Sequence, residues 1–480
     1  MFFKYAIMTS NFRLLILFIF ISFQIQSQNS TSEFMIKSKE GPLNIEQALS
    51  KYIQLESISG QEQEAGEWFR DLCELNGLHI TQMGDTNGNY NFSASLYPLS
   101  SELPNIVLLN HIDVVPPGDI ENWEHPPFSG TITDTEIWGR GAFDNKGNGI
   151  MHLFSIIQTL QKYGDKNMPY NVTLLAVSCE ETQCTGGANY VIDNFLDTLN
   201  PIVVIGEGPP GFNGILKWDP TQTIFGVSIT NKRPLWLELS LKIKTSAHGS
   251  ITPLNYANKG MIKALDNLIE KKQKVVYNET NINILKQLGR MEKGLSGFAL
   301  KNPRFFKAII TPQLRKRPEL FSLFSNSVTL TSVNSHNDVI NVIPDEVTAL
   351  LDCRLLPEQT NEEFLEGIKK QLKNKDITVK VIQESPITET SDDNTMFFKE
   401  IVKAIEKNYP ESENLSVSVP NYNDASFFRE KGINSYCFTP IPLARYYLEH
   451  IHNINERIPR GILTKGSQTF FDFIEGCLLQ

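Results

Sequence analysis

Ile106-Val107-Leu108-Leu109-Asn110-His111-Ile112-Asp113 is a short apolar run that ends abruptly in an imidazole and a carboxylate. Two later segments repeat the pattern: Val172–Val177 leads into Cys179-Glu180-Glu181, and Ile202–Ile205 leads into Gly206-Glu207. Continuous apolar runs of this length, bounded by turn residues, are typical of buried strands in a parallel sheet. Ligands bind beyond the carboxyl ends of such strands. The sequence therefore predicts a metal site at one edge of a parallel sheet.

Helical patterns separate these runs, at about 146–163 and 187–196. Strands that alternate with helices indicate βαβ units, so the fold class is α/β, a mostly parallel sheet flanked by helices. The pattern resumes near Asn394, with helices at about 395–408 and 423–431 and a last helix from about Lys465. We therefore expect a catalytic domain in two parts, 40–232 and 389–480.

The segment between these parts has a different texture. Apolar and polar residues alternate in 235–243, 327–333, 346–355 and 377–382, as in strands with one wet face. Helical stretches at 255–273 and 361–373 separate them, and 277–317 is irregular. This pattern predicts an α+β domain with an antiparallel sheet, inserted at 233–388.

Composition and charge exclude some classes of function. The 480-residue chain is too long for one core, which favours two domains. Its net charge of -10 argues against a general nucleic-acid surface, and we expect no nucleic-acid partner. The local basic run Arg315-Lys316-Arg317 is better explained as a solvated face than as a phosphate site.

The N-terminus resembles a secretory signal peptide over residues 1–27. Lys4 and Arg13 precede an apolar run at 14–23, and a polar stretch follows. The run is short for a span, which needs about 20 residues. We expect a secreted or periplasmic protein with no stable membrane span after leader removal. An uncleaved N-terminal membrane anchor is the alternative.

The six cysteines have no repeated spacing. Cys179 and Cys184 flank the Glu pair, where a zinc–thiolate role is conceivable, and an exported protein can form disulfides. Buried free thiols are the favoured interpretation.

The acidic and imidazole side chains suit hydrolytic metal chemistry. Asp113 lies two residues after His111, so both side chains share one face and Asp113 can fix the His111 tautomer. Glu180 and Glu181 point in opposite directions in extended structure, so one can bind a metal while the other reaches a water that the metal activates. Two exposed loop acids are the alternative for this pair.

The remaining candidate ligands lie in loops. Asp144, in a glycine-flanked loop before a helix, can reach across the sheet edge, although a simple helix N-cap is the alternative. Glu207 and His452 complete the set, and His450 competes with His452 on composition alone. One bridging carboxylate, two histidines and two further carboxylates suit two zinc ions per subunit. Manganese or cobalt also suits a carboxylate-rich site.

Seven motifs resemble the aminoacylase, succinyl-diaminopimelate desuccinylase and glutamate carboxypeptidase family of di-zinc hydrolases, over nearly the whole chain after the leader. They are His111-Ile-Asp113, Gly139-Arg-Gly-Ala-Phe-Asp144, Glu180-Glu181, Glu207, Ser246-Ala-His248-Gly, Asn341-Val-Ile-Pro and His452. The Gly-Xaa carboxypeptidase (carboxypeptidase S-like) branch is the most similar, on Pro126-Pro-Phe-Ser-Gly, Asn341-Val-Ile-Pro-Asp-Glu, Asp352-Cys-Arg354-Leu-Leu-Pro and His452-Asn-Ile-Asn-Glu-Arg-Ile.

The resemblance implies a role for each matching residue. Asp144 would bridge two zinc ions, with His111 and Glu207 completing one site and Glu181 and His452 the other. Glu180 would be the general base, and Asp113 would orient His111.

The inserted lid domain would supply further groups. His248 would stabilise the oxyanion, often from the partner subunit of a homodimer formed through the lid. Asn341 and Arg354 would hold substrate, and the Arg354 guanidinium suits a carboxylate. A structural salt bridge is nearly as good an explanation for Arg354.

Two positions depart from the family pattern. Asn145 stands where an acid or a small residue is common, and Pro420-Asn-Tyr-Asn-Asp424 replaces the usual substrate loop, so the resemblance does not fix the side-chain specificity.

The resulting hypothesis is a metallo-carboxypeptidase or aminoacylase. It would hydrolyse the amide next to a free carboxylate in small peptides or N-acyl amino acids. A co-catalytic zinc aminopeptidase is one alternative, against which the His248 and Asn341 motifs argue. A non-catalytic binding protein on the same scaffold is the other, and it would be expected to lack Glu180 or a ligand.

Overall fold

The computed structural model describes residues 33–84, 90–245, 248–335 and 339–480, apart from the side chain of Glu319. The predicted leader at 1–27 lies outside the described residues, as do Ser246 and Ala247, which precede His248. Across the described ranges, no helix is both long and apolar enough to cross a lipid bilayer.

The strands form two large sheets and a two-stranded ribbon. In chain order they are β1 His79–Gln82, β2 Phe92–Ser95, β3 Asn105–His111, β4 Glu136–Trp138, β5 Asn171–Val177, β6 Pro201–Gly206, β7 Gly211–Phe212, β8 Ile224–Asn231, β9 Arg233–Lys242, β10 Ser327–Asn334, β11 Glu346–Leu355, β12 Thr378–Glu384, β13 Glu413–Val419, β14 Ser435–Cys437 and β15 Arg457–Pro459.

The α-helices alternate with the strands in the first part of the chain. They are Ile45–Ile53, Gln63–Leu75, Lys146–Tyr163, Ala188–Leu199, Ala257–Ile269, Glu279–Met291, Gly294–Lys301, Lys307–Leu314, Pro318–Leu323, Asn361–Leu372, Met396–Asn408, Ala425–Glu430, Arg445–Leu448 and Ile462–Leu478. Short 3-10 helices span Leu99–Ser101 and Ile120–Asn122.

The main sheet has the order β1-β2-β5-β3-β6-β14-β8-β13, with β7 paired to β8. Its centre, β5-β3-β6-β14, is parallel, and β8 and β13 are parallel to each other. The joint between β14 and β8 is antiparallel, as are the β1-β2 and β2-β5 pairs at the far edge. The predicted α/β class, with a mostly parallel central sheet, is confirmed.

Alternation along β3 shows why the apolar runs are continuous. Ile106 and Leu108 pack into the core beneath the helices Lys146–Tyr163 and Ile462–Leu478, whereas Val107 and Leu109 pack into the core beneath Ala188–Leu199. Both faces of the strand are therefore covered by helices, so both sets of positions must be apolar.

The second sheet has the order β10-β11-β9-β12, all antiparallel, and lies within the segment predicted as an inserted domain. In β9, Leu235, Leu237, Leu239 and Leu241 are fully buried under the helices Ala257–Ile269 and Asn361–Leu372. The intervening residues of β9 are more exposed, which matches the predicted period of two.

The helices between Glu279 and Leu323 pack elsewhere. Ile284, Leu285 and Leu288 form a core with Leu415 and Val417 of β13, at the edge of the main sheet. Within the segment predicted as an inserted domain at 233–388, these helices thus pack on the main sheet. The reason is that β13 presents an alternating apolar face at the sheet edge, and the amphipathic helix Glu279–Met291 covers it.

Candidate metal centre

His111 lies at the carboxyl end of β3, beside the end of β6, because the two strands pair in parallel. Its Nε2 atom is 3.1 Å from Oδ1 of Asp144 and 3.2 Å from Oε2 of Glu207. Gly208 allows the Glu207 turn to pass over β14, since a Cβ at 208 would lie 2.3 Å from the Cys437 carbonyl carbon. One imidazole and two carboxylates thus converge on one point.

His452 makes a matching cluster on the other side of Asp144. Its Nε2 atom is 3.1 Å from Oδ2 of Asp144 and 3.1 Å from Oε2 of Glu181. His450 points away, with Nδ1 2.9 Å from the carbonyl oxygen of Ile454. The two oxygens of Asp144 therefore face two different histidines, as a bridging carboxylate requires. No side-chain hydrogen bond caps the helix that begins at Lys146.

Asp113 connects the end of β3 to the Glu pair. Its carboxylate accepts the backbone N–H groups of Glu180 and Glu181, each at 3.1 Å, and the hydroxyl of Ser59 at 2.7 Å. Nδ1 of His111 is 2.9 Å from the Asp113 carbonyl oxygen and 3.4 Å from the carboxylate. Asp113 thereby orients both the imidazole and the turn that carries the two glutamates.

The Glu pair divides between the two halves of the site. Glu181 faces His452, while Glu180 lies with His111 and Glu207 in a group whose candidate ligand atoms are all within 4.8 Å of one another. A second such group contains His111, Asp144 and Glu181. The divergence predicted for the pair is therefore present, although it arises in a turn after β5 rather than in extended structure.

A disulfide joins Cys179 to Cys184 across this turn. The prediction that these two cysteines are free thiols is wrong, and as a disulfide they offer no thiolate to zinc. The turn brings their Cα atoms to 5.7 Å, which is within bonding range and is not visible in the spacing of the cysteines alone. Cys73, Cys353, Cys437 and Cys477 are buried free thiols.

Glu456 is a site residue to which the sequence analysis gave no role. Its Oε1 accepts the backbone N–H of Phe143 at 3.1 Å and that of Asp144 at 3.3 Å, and its Oε2 accepts from Arg140 at 2.7 Å. Arg140 and Glu456 are each 1% exposed. The buried pair holds the loop that presents Asp144. In the sequence, the only signal for Glu456 was its place in the motif that begins at His452.

Asn145 and the 420–424 segment, both departures from the family pattern, also reach the site. The Asn145 amide donates to Oε2 of Glu207. Asn423 donates to the backbone oxygen of Glu207 at 3.1 Å, and Asp424 lines the same small cavity as Glu180 and Glu207. Asp424 adds another buried carboxylate. The sequence around it is typical of a loop and gave no sign of this burial.

The electrostatics of the cluster favour a cation. Burial raises the pKa of Glu180 well above its ordinary value, that of Glu181 to about 7 and that of Asp424 to about 8. Hydrogen bonds to Asp144 and Glu181 raise the pKa of His452 to about 10. The buried acids thus outnumber the positive charges that could balance them.

The donor set fits divalent metal ions. Among the described residues, Oε1 of Glu181 and Oδ2 of Asp424 are buried without a hydrogen-bond partner. Carboxylate oxygens and imidazole nitrogens are ligands that zinc, manganese and cobalt accept. The group can therefore hold a metal.

The three predicted lid residues lie in the domain of the second sheet. Nε2 of His248 is 3.2 Å from the Asn341 amide, and Gly249 N–H donates to the Asn341 carbonyl at 2.7 Å. Arg354 pairs with Asp352 through Nε at 2.9 Å and a second nitrogen at 3.1 Å. In the part of the chain that the structure describes, their hydrogen bonds stay within that domain and reach none of the metal-site residues.

Known proteins place these features in one family. A sequence model of peptidase family M20/M25/M40 matches residues 107–476. The chain is 27% identical over 382 residues to probable carboxypeptidase S-like 2 of Dictyostelium discoideum, covering 77% of this chain and 71% of the relative. It is 25% identical over 461 residues to the mouse N-fatty-acyl-amino acid synthase/hydrolase PM20D1, covering 91% and 88%.

A solved structure agrees with the fold. The M20 family metallo-carboxypeptidase Sso-CP2 of Sulfolobus solfataricus superimposes with a TM-score of 0.66 at 21% identity, covering 90% of this chain and 98% of that one. The expectation of an enzyme, a peptidase or amide hydrolase, is confirmed. Because the family match covers most of its length, the chain belongs to peptidase family M20/M25/M40.

Proposed function

We propose that this protein is a zinc-dependent hydrolase of the amide next to a free C-terminal carboxylate, in dipeptides or N-acyl amino acids. The observation that carries the proposal is the position of Asp144, whose two oxygens each lie 3.1 Å from a different histidine. The names of the relatives, a carboxypeptidase and an N-acyl-amino acid hydrolase, support this substrate class.

Two metal ions would share Asp144. His111 and Glu207 would complete one site and Glu181 and His452 the other, in agreement with the two clusters of short distances. A bound metal ion lowers the pKa of a water molecule and polarises the substrate carbonyl. Zinc is the metal that we propose, and manganese or cobalt also suits the donors.

Glu180 would be the general base. It would take a proton from the attacking water and deliver it to the amide nitrogen, so that the C–N bond breaks into an acid and an amine. Its backbone is held by Asp113 at 3.1 Å, which supports a fixed position for the carboxylate. Asp113 would act as a positioning residue.

The lid would supply the remaining substrate contacts. We propose that closure brings His248 onto the oxyanion, with Asn341 beside it, and that Arg354 binds the substrate carboxylate. The contact between His248 and Asn341 supports their acting together. In this account Arg354 shares its guanidinium between Asp352 and substrate, and a homodimer through the lid would place the partner's lid over each site.

We further propose that the protein works outside the cytoplasm. The disulfide between Cys179 and Cys184 supports an oxidising compartment, as does the predicted leader at 1–27. An uncleaved leader would leave the same domain anchored to the outer face of a membrane.

Hydrolysis of a small substrate panel tests the proposal. Protein purified with two equivalents of zinc is given N-acyl amino acids, their carboxyl-amidated forms and free dipeptides. We expect turnover only where the carboxylate is free, and a loss of about 10²–10⁴-fold in kcat in Glu180→Gln with zinc retained. Glu64→Gln, an exposed acid, is the matched control. Turnover that requires a free amine instead would identify an aminopeptidase and overturn the proposal.

A further inference from the structure

A second cavity lies beside the metal centre and has no role in the reaction described above. Its volume is about 560 Å³, and residues of the helical segment Glu279–Leu323 and of β8 and β13 line it. Cavities of roughly 300–1,000 Å³ are typical of ligand sites, whereas voids of this size are rare in packed interiors. The cavity is therefore a candidate binding site.

The walls of this cavity are predominantly apolar. Strand residues form one wall and helix residues the opposite one, represented by Ile224, Leu415, Val417, Ile284, Leu288 and Leu320. Charged residues at the cavity have protein partners: Arg317 donates to the Ile215 carbonyl at 2.8 Å, and Arg445 pairs with Glu449 at 3.1 Å. These surroundings favour an uncharged, apolar ligand over an ion.

The chain itself connects the cavity to the metal centre. Glu207 lines the metal site, and Pro209, two residues later, lines the apolar cavity. Two trans peptide units span at most about 7–8 Å between Cα atoms, so the two cavities are neighbours here. The 420–425 segment repeats the arrangement, because Pro420 lines the apolar cavity and Asn423 and Asp424 line the metal site.

We propose that this cavity binds the apolar acyl chain of an N-acyl amino acid whose amide lies at the metal centre. The inference rests on the proposed function and adds to it both a subsite and a preference for long acyl chains. The helical segment Glu279–Leu323 would build this subsite, which explains why it packs on the main sheet rather than with the second sheet.

A series of N-acyl derivatives of one amino acid, with acyl chains from acetyl to octadecanoyl, tests the subsite. We expect kcat/KM of the zinc enzyme to rise by up to about four-fold per methylene that enters the cavity, and then to level off. If all members are hydrolysed without a dependence on chain length, the subsite is wrong and the hydrolase stands. If none is hydrolysed, the proposed function itself fails.

Two variants that fill the cavity from different elements locate the subsite. Leu320→Trp and Ile215→Trp change partly exposed lining residues, and Ile309→Trp, an exposed residue of Lys307–Leu314 outside the cavity, is the matched control. We expect both cavity variants to lower the ratio of dodecanoyl to acetyl kcat/KM on the order of ten-fold or more. The control should keep the wild-type ratio.

A binding measurement excludes the objection that the variants misfold. Folding is checked by circular dichroism and thermal unfolding, and the binding of dodecanoic acid by calorimetry. Loss of dodecanoic acid binding in a folded Leu320→Trp protein supports the subsite. Binding that equals wild type in both cavity variants, or an unchanged ratio of the two substrates, overturns it.

Discussion

The metal edge of the main sheet and the His248–Asn341 cluster of the second sheet carry similar side chains in opposite surroundings. His111 is 2% exposed and is held by several strand ends, and the loop that presents Asp144 is held in turn by the buried Glu456. His248 is exposed and contacts Asn341 and Ser250 within its own domain. We propose that the first is a rigid half assembled by the fold, and that the second is a mobile half completed by substrate or a partner.

Removing the charge of Asp144 should have the largest effect on the rigid half of the site. Asp144→Asn keeps the shape but leaves two histidines without a shared anion. We expect turnover to fall by about 10³-fold or more, because metal catalysis contributes several kcal/mol, and bound zinc to fall from two to at most one. Kinetics with metal analysis measures both, with exposed Asp165→Asn as control. Full activity with two bound zinc ions would contradict a bridging role.

Breaking the buried ion pair between Arg140 and Glu456, which holds the Asp144 loop, should have the next largest effect. Glu456→Gln leaves Arg140 buried without a charged partner, so we expect a stability loss of about 3–5 kcal/mol in urea unfolding. Turnover should fall about 10–100-fold because Asp144 loses its support. Glu279→Gln, which opens an exposed pair with Arg304, should cost less than about 1 kcal/mol. Equal effects of the two substitutions would remove the contrast between a buried and an exposed pair.

Substitution of Arg354, in the mobile half, tests whether this residue binds substrate or only forms a structural salt bridge. We expect Arg354→Ala to raise KM for N-acyl amino acids roughly ten- to hundred-fold, since a hydrogen bond to a charged group contributes about 1.5–3 kcal/mol. Unfolding should change by less than about 1 kcal/mol, because the Asp352 pair is partly exposed. Asp352→Asn is the matched variant, and an equal rise in KM from it would favour the salt-bridge explanation.

Removal of the disulfide has the smallest expected effect on the site itself. Replacing Cys179 and Cys184 together with alanine should lower the free energy of unfolding by about 2 kcal/mol, because the closed loop is short. Zinc affinity should fall by about ten-fold, since both glutamates lie in that loop. Reduction of the wild-type protein should reproduce both changes and leave the double variant unaffected. A reduced protein with unchanged stability would show that hydrogen bonds, such as those to Asp113, fix the turn without the disulfide.

Local patterns predicted the framework because their causes are local. The helix expected at 146–163 is Lys146–Tyr163, and the strand expected at 346–355 is Glu346–Leu355. Burial on two faces makes a strand continuously apolar, and burial on one face makes it alternate, so β3 and β11 were readable from the sequence. The five ligand candidates follow from the same strand ends and from motif resemblance.

What the sequence did not reveal depends on contacts between distant segments or on the path of the chain through one turn. Glu456 meets Asp144 across 312 residues, and Cys179 meets Cys184 only because the turn after β5 doubles back. The packing of Glu279–Met291 on β13 likewise depends on an exposed sheet edge that no local pattern shows. Asp424 lies in a stretch of sequence that is typical of a loop. Only the fold buries it among other acids.

Anomalous X-ray scattering from zinc-loaded crystals, measured on both sides of the zinc absorption edge, shows whether two metal ions share Asp144. We expect two zinc peaks per chain on opposite sides of Asp144, one beside His111 and Glu207 and the other beside Glu181 and His452. A single peak, or peaks that do not share Asp144, would contradict this expectation.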